Sequence, residues 1–350
     1  LENGLRVGVV GIVTDHVNVW ERPEHLTGLT ITDPIPVARA ALEELKGRTD
    51  LTVCIYHGGF ERDLATGRVL STSRENIAYR LCQELDFDIL LTGHQHMCIP
   101  GQSLFGTFAV QAPDSGRAFI SLKAVVTDGH IICNSQAVPA GGDCDPTLLD
   151  RFGGLEQGAQ TWLDTVVGHL DRPLLPAPPL IMAAEGSCIA DFFNEVQLSC
   201  SGAQLAATSL ANEITGFPQT VRRRDVLTAY PYTNTLTVLR VTGRVLRQAM
   251  ERSAEYFAID EDGKLCVADA FLKPKVEHYN YDYFAGVNYT IDVFKPAGQR
   301  VTEVSYQGKA VKDSHEFTIC LNSYRASGAG GYPEYTQCQV VREINIEMSD

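Results

Sequence analysis

The sequence lacks the features that mark membrane-spanning and nucleic-acid-binding proteins. Its 29 basic residues stand against 43 acidic ones, a formal net charge of −14, so it offers no general basic surface for a nucleic-acid polymer. No apolar run approaches the roughly 18–20 residues of a membrane-spanning helix. A small anionic substrate is still allowed, because a local group of metal ions or arginines overrides the field of the whole chain.

The sequence also lacks any C-x-x-C pair. Its ten cysteines are scattered along the chain, which argues against a zinc ribbon and against a thioredoxin-like redox site. Several lie inside apolar segments such as "LTVCIY" and "FTICLN", where a thiol behaves as a small hydrophobic side chain. A chain of 350 residues does not need disulfides to fold, so we expect mostly free thiols.

An initiator methionine, a signal peptide and a polar leader are missing as well. The chain begins "LENGLRVGVVGIVTD", and its first strand-like run starts almost at once. We therefore expect further sequence upstream, and any targeting segment would lie there.

The first part of the chain, residues 1–137, alternates strand-like and helix-like segments. Apolar strand runs occur in "LRVGVVGIV", "LTVCIYH" and "FDILLTG". Helical periodicity occurs in "DPIPVARAALEELKGRTD" and in "STSRENIAYRLCQELD", the latter opened by serine and threonine as capping residues. A hairpin with a "DG" turn follows. This alternation predicts a layered α/β domain.

The rest of the chain divides into a connector, 138–175, and a second domain, 176–350. The connector runs from the break at "GGDCDP" through a helical segment to the proline-rich "PLLPAPP". The second domain has two predicted helices, "SCIADFFNEVQLSC" and "GRVLRQAMERSAEYF". It ends with the predicted strands "VNYTIDVF", "EFTICLN" and "CQVVREI", so we expect an α+β arrangement.

Three histidines lie where two predicted strands end. His57 follows "LTVCIY" and precedes two glycines, and His94 and His96 follow "FDILL" and a Thr-Gly pair. The carboxyl ends of strands in an open α/β sheet gather functional groups on one side, and neutral imidazole binds zinc, manganese or iron. We predict a metal site there, the alternative being ordinary loop histidines. The remaining histidines are expected to be surface or core side chains: His16, His25, His130, His169, His278 and His315.

The segments "YHGG" and "SRENIAYRLCQELDFDILLTGHQH" resemble the last two metal-binding blocks of the calcineurin-like metallophosphoesterases. The nearest group is that of the bacterial 5'-nucleotidases and 2',3'-cyclic-nucleotide 2'-phosphodiesterases/3'-nucleotidases. Four later segments are similar to the C-terminal nucleotide-specificity domain of that group: "TSLANEITGF", "RRRDVLTAYPYTNTLTVLRVTGRVLRQAMERSAEYF", "YNYDYFAGVNYTIDV" and "LNSYRASGAGGYPEY".

The resemblance implies a fold, a reaction and a cofactor. The fold is α/β: part of a four-layer metallophosphoesterase sandwich, then a connector helix and a second α+β nucleotide-specificity domain. The reaction is hydrolysis of nucleotide phosphoesters with two divalent metal ions, of zinc, manganese, iron or cobalt. His57 and His94 would bind one metal and His96 the other. Relatives of this branch are usually exported, which would place the protein in the periplasm, in the cell wall or outside the cell.

The other metal-binding blocks of that family are not found in this chain. The family has an Asp-x-His block, a second aspartate and an Asn-His-Glu block, and the "TDH" at Thr14–His16 does not have the first spacing. Three neutral imidazoles supply no negative charge to balance two dications. We therefore expect this chain alone to bind metal weakly and to hydrolyse little substrate. An N-terminal segment or a separate fragment would complete the site.

A nucleotide-binding surface is predicted in the second domain. By resemblance, one tyrosine of "YNYD", Tyr281 or otherwise Tyr279, would hold the base together with Tyr332, since aromatic faces stack on any base. By the same resemblance Asn212, Arg224 and Arg325 would lie near the substrate.

Several alternatives stay open. "YNYDYF" is also typical of a strand whose alternate tyrosines pack in a core, and the "RRR" run of an ordinary solvated surface. At the level of function, the alternatives are a 5'-nucleotidase or UDP-sugar hydrolase, and a nucleotide-binding module without catalysis.

Overall fold

The computed structural model describes residues 1, 3–21, 24–71 and 74–350. They form two compact units, Leu1–Cys144 and Asp145–Asp350. The boundary lies inside the predicted connector, so the helix that follows the "GGDCDP" break belongs to the second unit.

The first unit is built on a five-stranded sheet with the order β1-β2-β3-β5-β4, in which β1, β2, β3 and β5 run parallel. A hairpin of two ten-residue strands, β6 and β7, follows it and turns at "DG". The elements of this unit are β1 (Val7–Val13), α1 (Val17–Trp20), α2 (Pro34–Leu45), β2 (Leu51–His57), α3 (Ala78–Glu84), β3 (Ile89–Thr92), β4 (Ile99–Leu104), β5 (Thr107–Gln111), β6 (Ala118–Thr127) and β7 (His130–Pro139).

The two helices beside the sheet begin differently. Helix α2 begins where the sequence predicts, with the Asp33 side chain accepting a hydrogen bond from the Ile35 N–H at 3.1 Å. Helix α3 begins only at Ala78, several residues later than predicted. Its first turn is satisfied instead by Glu61, whose carboxylate accepts from the backbone N–H groups of residues 79 and 80. Of the predicted capping residues, Thr72 and Ser73 lie outside the described residues.

One face of the first sheet is buried and the other exposes apolar side chains. Ile12 and Tyr56 are 9% and 1% exposed, and they pack in one core with residues of α2 and α3. On the opposite face Val9, Val13 and Ile55 are 57%, 46% and 47% exposed. Parallel sheets are usually covered on both faces, so this face is an apolar surface of the chain.

The second unit contains a mixed five-stranded sheet with the order β14-β9-β18-β11-β19, together with smaller sheets. Its elements are α4 (Pro146–Leu163), β8 (Val166–His169), α5 (Pro179–Glu185), α6 (Cys188–Ser201), β9 (Leu205–Ser209), β10 (Thr220–Arg222), α7 (Arg223–Ala229), β11 (Thr235–Thr242), α8 (Gly243–Ala254), β12 (Phe257–Ile259), β13 (Leu265–Val267), β14 (Asp282–Ala285), β15 (Asn288–Ile291), β16 (Val301–Tyr306), β17 (Lys309–Ala310), β18 (Glu316–Asn322), α9 (Ser323–Ala326) and β19 (Gln339–Glu347), with 3-10 turns at Asp269–Phe271, His278–Asn280 and Pro333–Gln337.

The core of the second unit lies between its sheet and α8. Leu246 and Met250 of α8 are fully buried and pack in one cluster with Leu239 of β11 and Ile319 of β18. Burying a large aliphatic side chain contributes roughly 1.5–3 kcal/mol, so this layer supplies much of the stability of the unit.

Two expectations about composition can be compared with the structure. The ten cysteines, all within the described residues, are free thiols. Within the same residues, no helix is both long enough and apolar enough to cross a membrane.

Candidate functional site

The three predicted histidines lie together at the carboxyl edge of the first sheet. His57 is the last residue of β2, and the loop after β3 carries the other two. This loop is joined to the end of β2 by the Gly93 N–H, which donates to the Gly58 carbonyl at 3.1 Å. The ring centroids of His57 and His94 are 5.4 Å apart. The parallel register of the strands thus brings the imidazoles together, as the sequence predicts.

The loop after β3 holds two histidines in an uncommon backbone conformation. His94 and His96 have φ angles of 66° and 60°, in the left-handed region. A residue with a Cβ atom adopts this region at a cost of roughly 1–2 kcal/mol. Such strain is typical of functional sites, where the surrounding structure enforces it.

Gln95 supplies that enforcement. Its side chain is 9% exposed, its Nε2 donates to the Phe60 carbonyl at 2.9 Å, and its Oε1 accepts from the Phe60 N–H at 2.6 Å. Gly59 has no room for a side chain, because an added Cβ would collide with the Gln95 amide. The middle residue of "HQH" is therefore fixed in the interior, while His57 and His96 are exposed.

A carboxylate accompanies His94. Its Nε2 lies 2.8 Å from Oε1 of Glu75, and both side chains are mostly buried, with 23% and 18% exposed. The chain around Glu75 is anchored to the end of β2. The Tyr56 hydroxyl donates to the Glu75 carbonyl at 3.3 Å, and the Asn76 Oδ1 accepts from the Gly59 N–H at 2.7 Å.

The sequence reasoning missed two members of this group. Glu75 was not singled out, and His16 was expected to be an ordinary surface or core side chain. The structure places His16 after β1 at the same edge of the sheet, where the charges of Glu75 and His94 affect its pKa. Burial lowers that pKa. The available signal was position, since "TDH" also follows a parallel strand.

The environment of His57 favours its neutral form. Partial desolvation lowers its pKa, although the side chain is still exposed, and the neighbouring imidazoles of His94 and His96 lower it further. A neutral imidazole has the lone pair that a metal ion requires. Within the described part of the chain, however, no three histidine, cysteine, aspartate or glutamate side chains already converge as a metal-holding group. The donors fit a divalent metal in type and do not by themselves form a closed coordination shell.

Two of the predicted tyrosines lie inside the second unit. Tyr281 is 3% exposed and donates its hydroxyl to the Ala183 carbonyl at 2.9 Å. Tyr332 is fully buried, with its hydroxyl 2.8 Å from Ser253 Oγ and 3.0 Å from the Asn280 carbonyl. Neither ring offers a face to solvent. For Tyr281 this arrangement favours the alternative in which alternate tyrosines of "YNYDYF" pack in the core.

Tyr279 is different, because it is only half-buried and has an exposed aromatic neighbour. Its ring centroid lies 6.5 Å from that of Tyr232, which is 36% exposed. The Lys275 ammonium lies 5.5 Å from the centre of the Tyr279 ring. Tyr232 was missed in the sequence, although the turn-forming "YPYTN" that contains it was a signal for an exposed aromatic residue.

Arg325 is buried and fully engaged by the protein. Its side chain is 2% exposed and pairs with the Asp282 carboxylate through Nε, at 3.0 and 2.9 Å to the two oxygens. Its two terminal nitrogens donate to the carbonyls of Ala329 and Tyr279, at 2.6 and 2.9 Å. The guanidinium also lies 4.1 Å from the centre of the Tyr332 ring. Arg325 therefore holds together the segments that carry two predicted tyrosines.

The other two predicted substrate residues lie apart from that centre. Arg224 pairs with Asp164 at 2.9 Å and with Gln160 at 2.7 Å, so it fastens α7 to the end of α4. Asn212 donates its amide to the Val276 carbonyl at 2.8 Å. The Oδ1 atom of Asn212 is buried and has no hydrogen-bond partner among the described residues.

The comparisons with known proteins agree with this architecture. A family model of the 5'-nucleotidase C-terminal domain matches residues 166–337. The trifunctional nucleotide phosphoesterase of Bacillus subtilis is 23% identical over 99% of this chain and 27% of its own length. A 2',3'-cyclic-nucleotide 2'-phosphodiesterase/3'-nucleotidase of Haemophilus influenzae is 22% identical over 93% of this chain and 57% of its own. The chain thus spans only part of the curated relatives that it matches.

Solved structures extend the likeness to both units. A Staphylococcus aureus protein described as a 5'-nucleotidase, solved in complex with α-ketoglutarate, is 34% identical with a TM-score of 0.87, over 99% of this chain and 68% of that one. A 5'-nucleotidase precursor of Thermus thermophilus, 17% identical with a TM-score of 0.62 over 99% and 68%, shares the fold. These likenesses confirm the predicted α/β fold.

Proposed function

The chain belongs to the 5'-nucleotidase family, and from this premise we propose that it is part of a metal-dependent hydrolase of nucleotide phosphoesters. The substrate class is a 2',3'-cyclic nucleotide or a 3'- or 5'-nucleotide. Relatives named for each of these activities are similar to the chain over nearly its whole length. The observation that carries the proposal is the histidine group at the edge of the first sheet.

His57, His94 and His96 are the proposed metal ligands. Two divalent ions, of zinc, manganese, iron or cobalt, would polarise the phosphate and activate water when bound. The chain's own residues prepare the donors: Gln95 fixes the loop, and partial desolvation beside two other imidazoles favours the uncharged form of His57. Because these three ligands bring no negative charge, we expect weak metal binding and little hydrolysis by this chain alone.

An additional N-terminal segment or fragment is the proposed partner that completes the site. The exposed apolar face of the first sheet supports this proposal, since Val9, Val13 and Ile55 are left uncovered. By the family resemblance, such a segment would carry the carboxylate ligands that this chain lacks. We further propose an exported protein, as the resemblance to this branch implies.

The nucleotide base is proposed to bind at the exposed tyrosines of the second unit. Tyr232 and Tyr279 offer the accessible aromatic surface, and the buried Oδ1 of Asn212 has no hydrogen-bond partner among the described residues. In this proposal Tyr281, Tyr332 and Arg325 support that surface from inside. Arg224 acts at the α4–α7 contact.

Hydrolysis of 2',3'-cyclic AMP and of 5'-AMP, measured with added Mn²⁺ or Co²⁺, tests the proposal. The chain alone should be nearly inactive, and co-expression with its upstream segment should restore metal-dependent turnover that His94→Ala abolishes. Preference for 5'-AMP would select the 5'-nucleotidase alternative, which the relatives of that name in Vibrio support. Nucleotide binding without turnover in the completed protein would select the binding module and overturn the proposed enzyme.

A further inference from the structure

In the hydrogen bond between Glu75 and His94, the donor and the acceptor can be assigned. Oε1 of Glu75 lies 2.8 Å from Nε2 of His94, and a carboxylate only accepts hydrogen bonds when it is ionised. The proton of a neutral His94 ring must then reside on Nε2. The lone pair of that ring is consequently on Nδ1, the only other nitrogen that can bind a metal ion.

We propose that Glu75 is a positioning residue, which sets the tautomer and orientation of His94 so that Nδ1 is the metal-binding nitrogen. The inference rests on the proposed metal-dependent function and adds a residue outside the predicted ligand set. Carboxylate–histidine–metal arrangements of this kind fix the ring and raise the basicity of the ligating nitrogen.

The backbone around Glu75 is suited to such a role. Its carbonyl accepts from the Tyr56 hydroxyl at 3.3 Å, and the next residue, Asn76, is buried and bound to the Gly59 N–H at 2.7 Å. Both anchors belong to the end of β2 or to the loop that follows it. The carboxylate is therefore held in register with His57, whose ring lies 5.4 Å from that of His94.

Glu75 also contributes charge where the imidazoles have none. It is 18% exposed, so its negative charge is only partly screened by water. That charge lies one hydrogen bond away from a predicted ligand and would partly offset a bound dication. A neutral side chain of the same shape would keep the orientation and lose this contribution.

The test compares Glu75→Ala, Glu75→Gln and, as a matched control, Glu44→Ala, which alters an exposed glutamate of α2 in the same unit. In the metal-free protein at about pH 8, where histidine is neutral, ¹⁵N NMR of labelled histidine should show His94 protonated on Nε2. In Glu75→Ala the tautomers should mix. Co²⁺ titration of the same samples should show about 10- to 100-fold weaker binding for Glu75→Ala, a smaller loss for Glu75→Gln and no change for Glu44→Ala.

Two outcomes would overturn the inference. One is a proton on Nδ1 of His94 in the metal-free wild-type chain, and the other is wild-type Co²⁺ affinity in Glu75→Ala. Failure of the proposed function has a separate signature, because a wild-type chain with the Nε2 tautomer and no Co²⁺ binding, even with the upstream segment present, would refute the metal site itself. The NMR spectra also show whether each variant is folded.

Discussion

The two predicted sites differ in what their side chains are free to do. At the edge of the first sheet, His57 and His96 are exposed, and the interactions around them fix the loop and leave both rings at the surface. In the second unit Arg325 and Tyr332 also carry polar groups, yet both side chains are buried. Arg325 donates a hydrogen bond to Asp282, and the Tyr332 hydroxyl donates one to the Asn280 carbonyl.

The difference shows that residue type does not distinguish a ligand-binding group from a structural one. An arginine can meet a phosphate or an internal aspartate with the same fork of donors. What separates the two cases is exposure together with the partner that the fold provides. The first site is open and strained, whereas Arg325 and Tyr332 of the second are enclosed and held by hydrogen bonds within the protein. Mutations should therefore affect the two sites in opposite ways.

The largest expected effect is on stability, from Arg325→Ala. The substitution leaves Asp282, 1% exposed, as a buried charge without its cation, which costs about 3–5 kcal/mol. Denaturant unfolding measures the loss. The control is Arg240→Ala, whose ion pair with Glu316 spans 3.7 Å at the surface and should contribute only about 0–1 kcal/mol.

A double variant tests whether the stability loss comes from an unpaired charge in the Arg325–Asp282 ion pair. Replacing both members with apolar side chains, as in Arg325→Met with Asp282→Leu, should recover much of the loss, because no charge is then left buried. If Arg325→Ala were as stable as Arg240→Ala and bound AMP more weakly, Arg325 would be a ligand-binding residue, and the contrast between the sites would fail.

The next prediction separates binding tyrosines from structural ones. Tyr232→Ala and Tyr279→Ala should each weaken AMP binding by about 1–3 kcal/mol with little change in stability. Tyr332→Phe should instead lower the free energy of unfolding by about 1–3 kcal/mol and leave AMP binding unchanged. The substitution removes the hydroxyl that bonds to Ser253 and to the Asn280 carbonyl. Calorimetric titration and denaturant unfolding give both values. If Tyr332→Phe kept wild-type stability and bound AMP more weakly, Tyr332 would belong to the base-binding site.

A substitution in the strained loop after β3 should have a smaller effect, and it should raise stability while it weakens metal binding. His96→Gly removes the cost of a left-handed φ of 60° and should stabilise the chain by roughly 1 kcal/mol. The same change should weaken Co²⁺ binding, because a proposed ligand is lost. His130→Gly, at an exposed hairpin position without positive φ, should not stabilise. Destabilisation by His96→Gly would show that the loop is not strained.

The smallest expected effect concerns pH and the interior of the second unit. Burial lowers the pKa of His278, whose Nδ1 lies 2.7 Å from the Tyr256 hydroxyl. The unfolded chain therefore takes up this proton first, and stability falls as the pH drops through about 6.5. The advantage of wild type over His278→Gln in urea unfolding should shrink over that range. An unchanged difference would mean that His278 titrates alike in both states, and His130→Gln provides the exposed comparison.

The sequence predicted β1, β2 and β3 of the first sheet and the place of its histidines, whereas it did not predict the edge strand β4. Long apolar runs and glycine-flanked histidines are local features, and parallel strands then bring them to one edge. His16 and Glu75 were not found, because Glu75 reaches His94 only through the irregular segment before α3. No periodicity describes such a segment.

The burial of the tyrosine side chains in "YNYDYF" was harder to predict from the sequence. β9 is buried along its whole length, and β14 pairs with it. Alternation in "YNYDYF" cannot then distinguish a solvent-facing side from a core-facing side. The pairing of Arg325 with Asp282 joins residues 43 positions apart, and nothing in their local sequences indicates the contact.

Gln95 has a consequence for how the "HQH" segment tolerates change. Its amide pairs with both backbone groups of Phe60 and so imitates one rung of a β-ladder. Among side chains of that length only glutamine offers a donor and an acceptor side by side. A library selected for folding alone should keep glutamine at this position while its two neighbours drift, and a library selected for metal binding should keep all three.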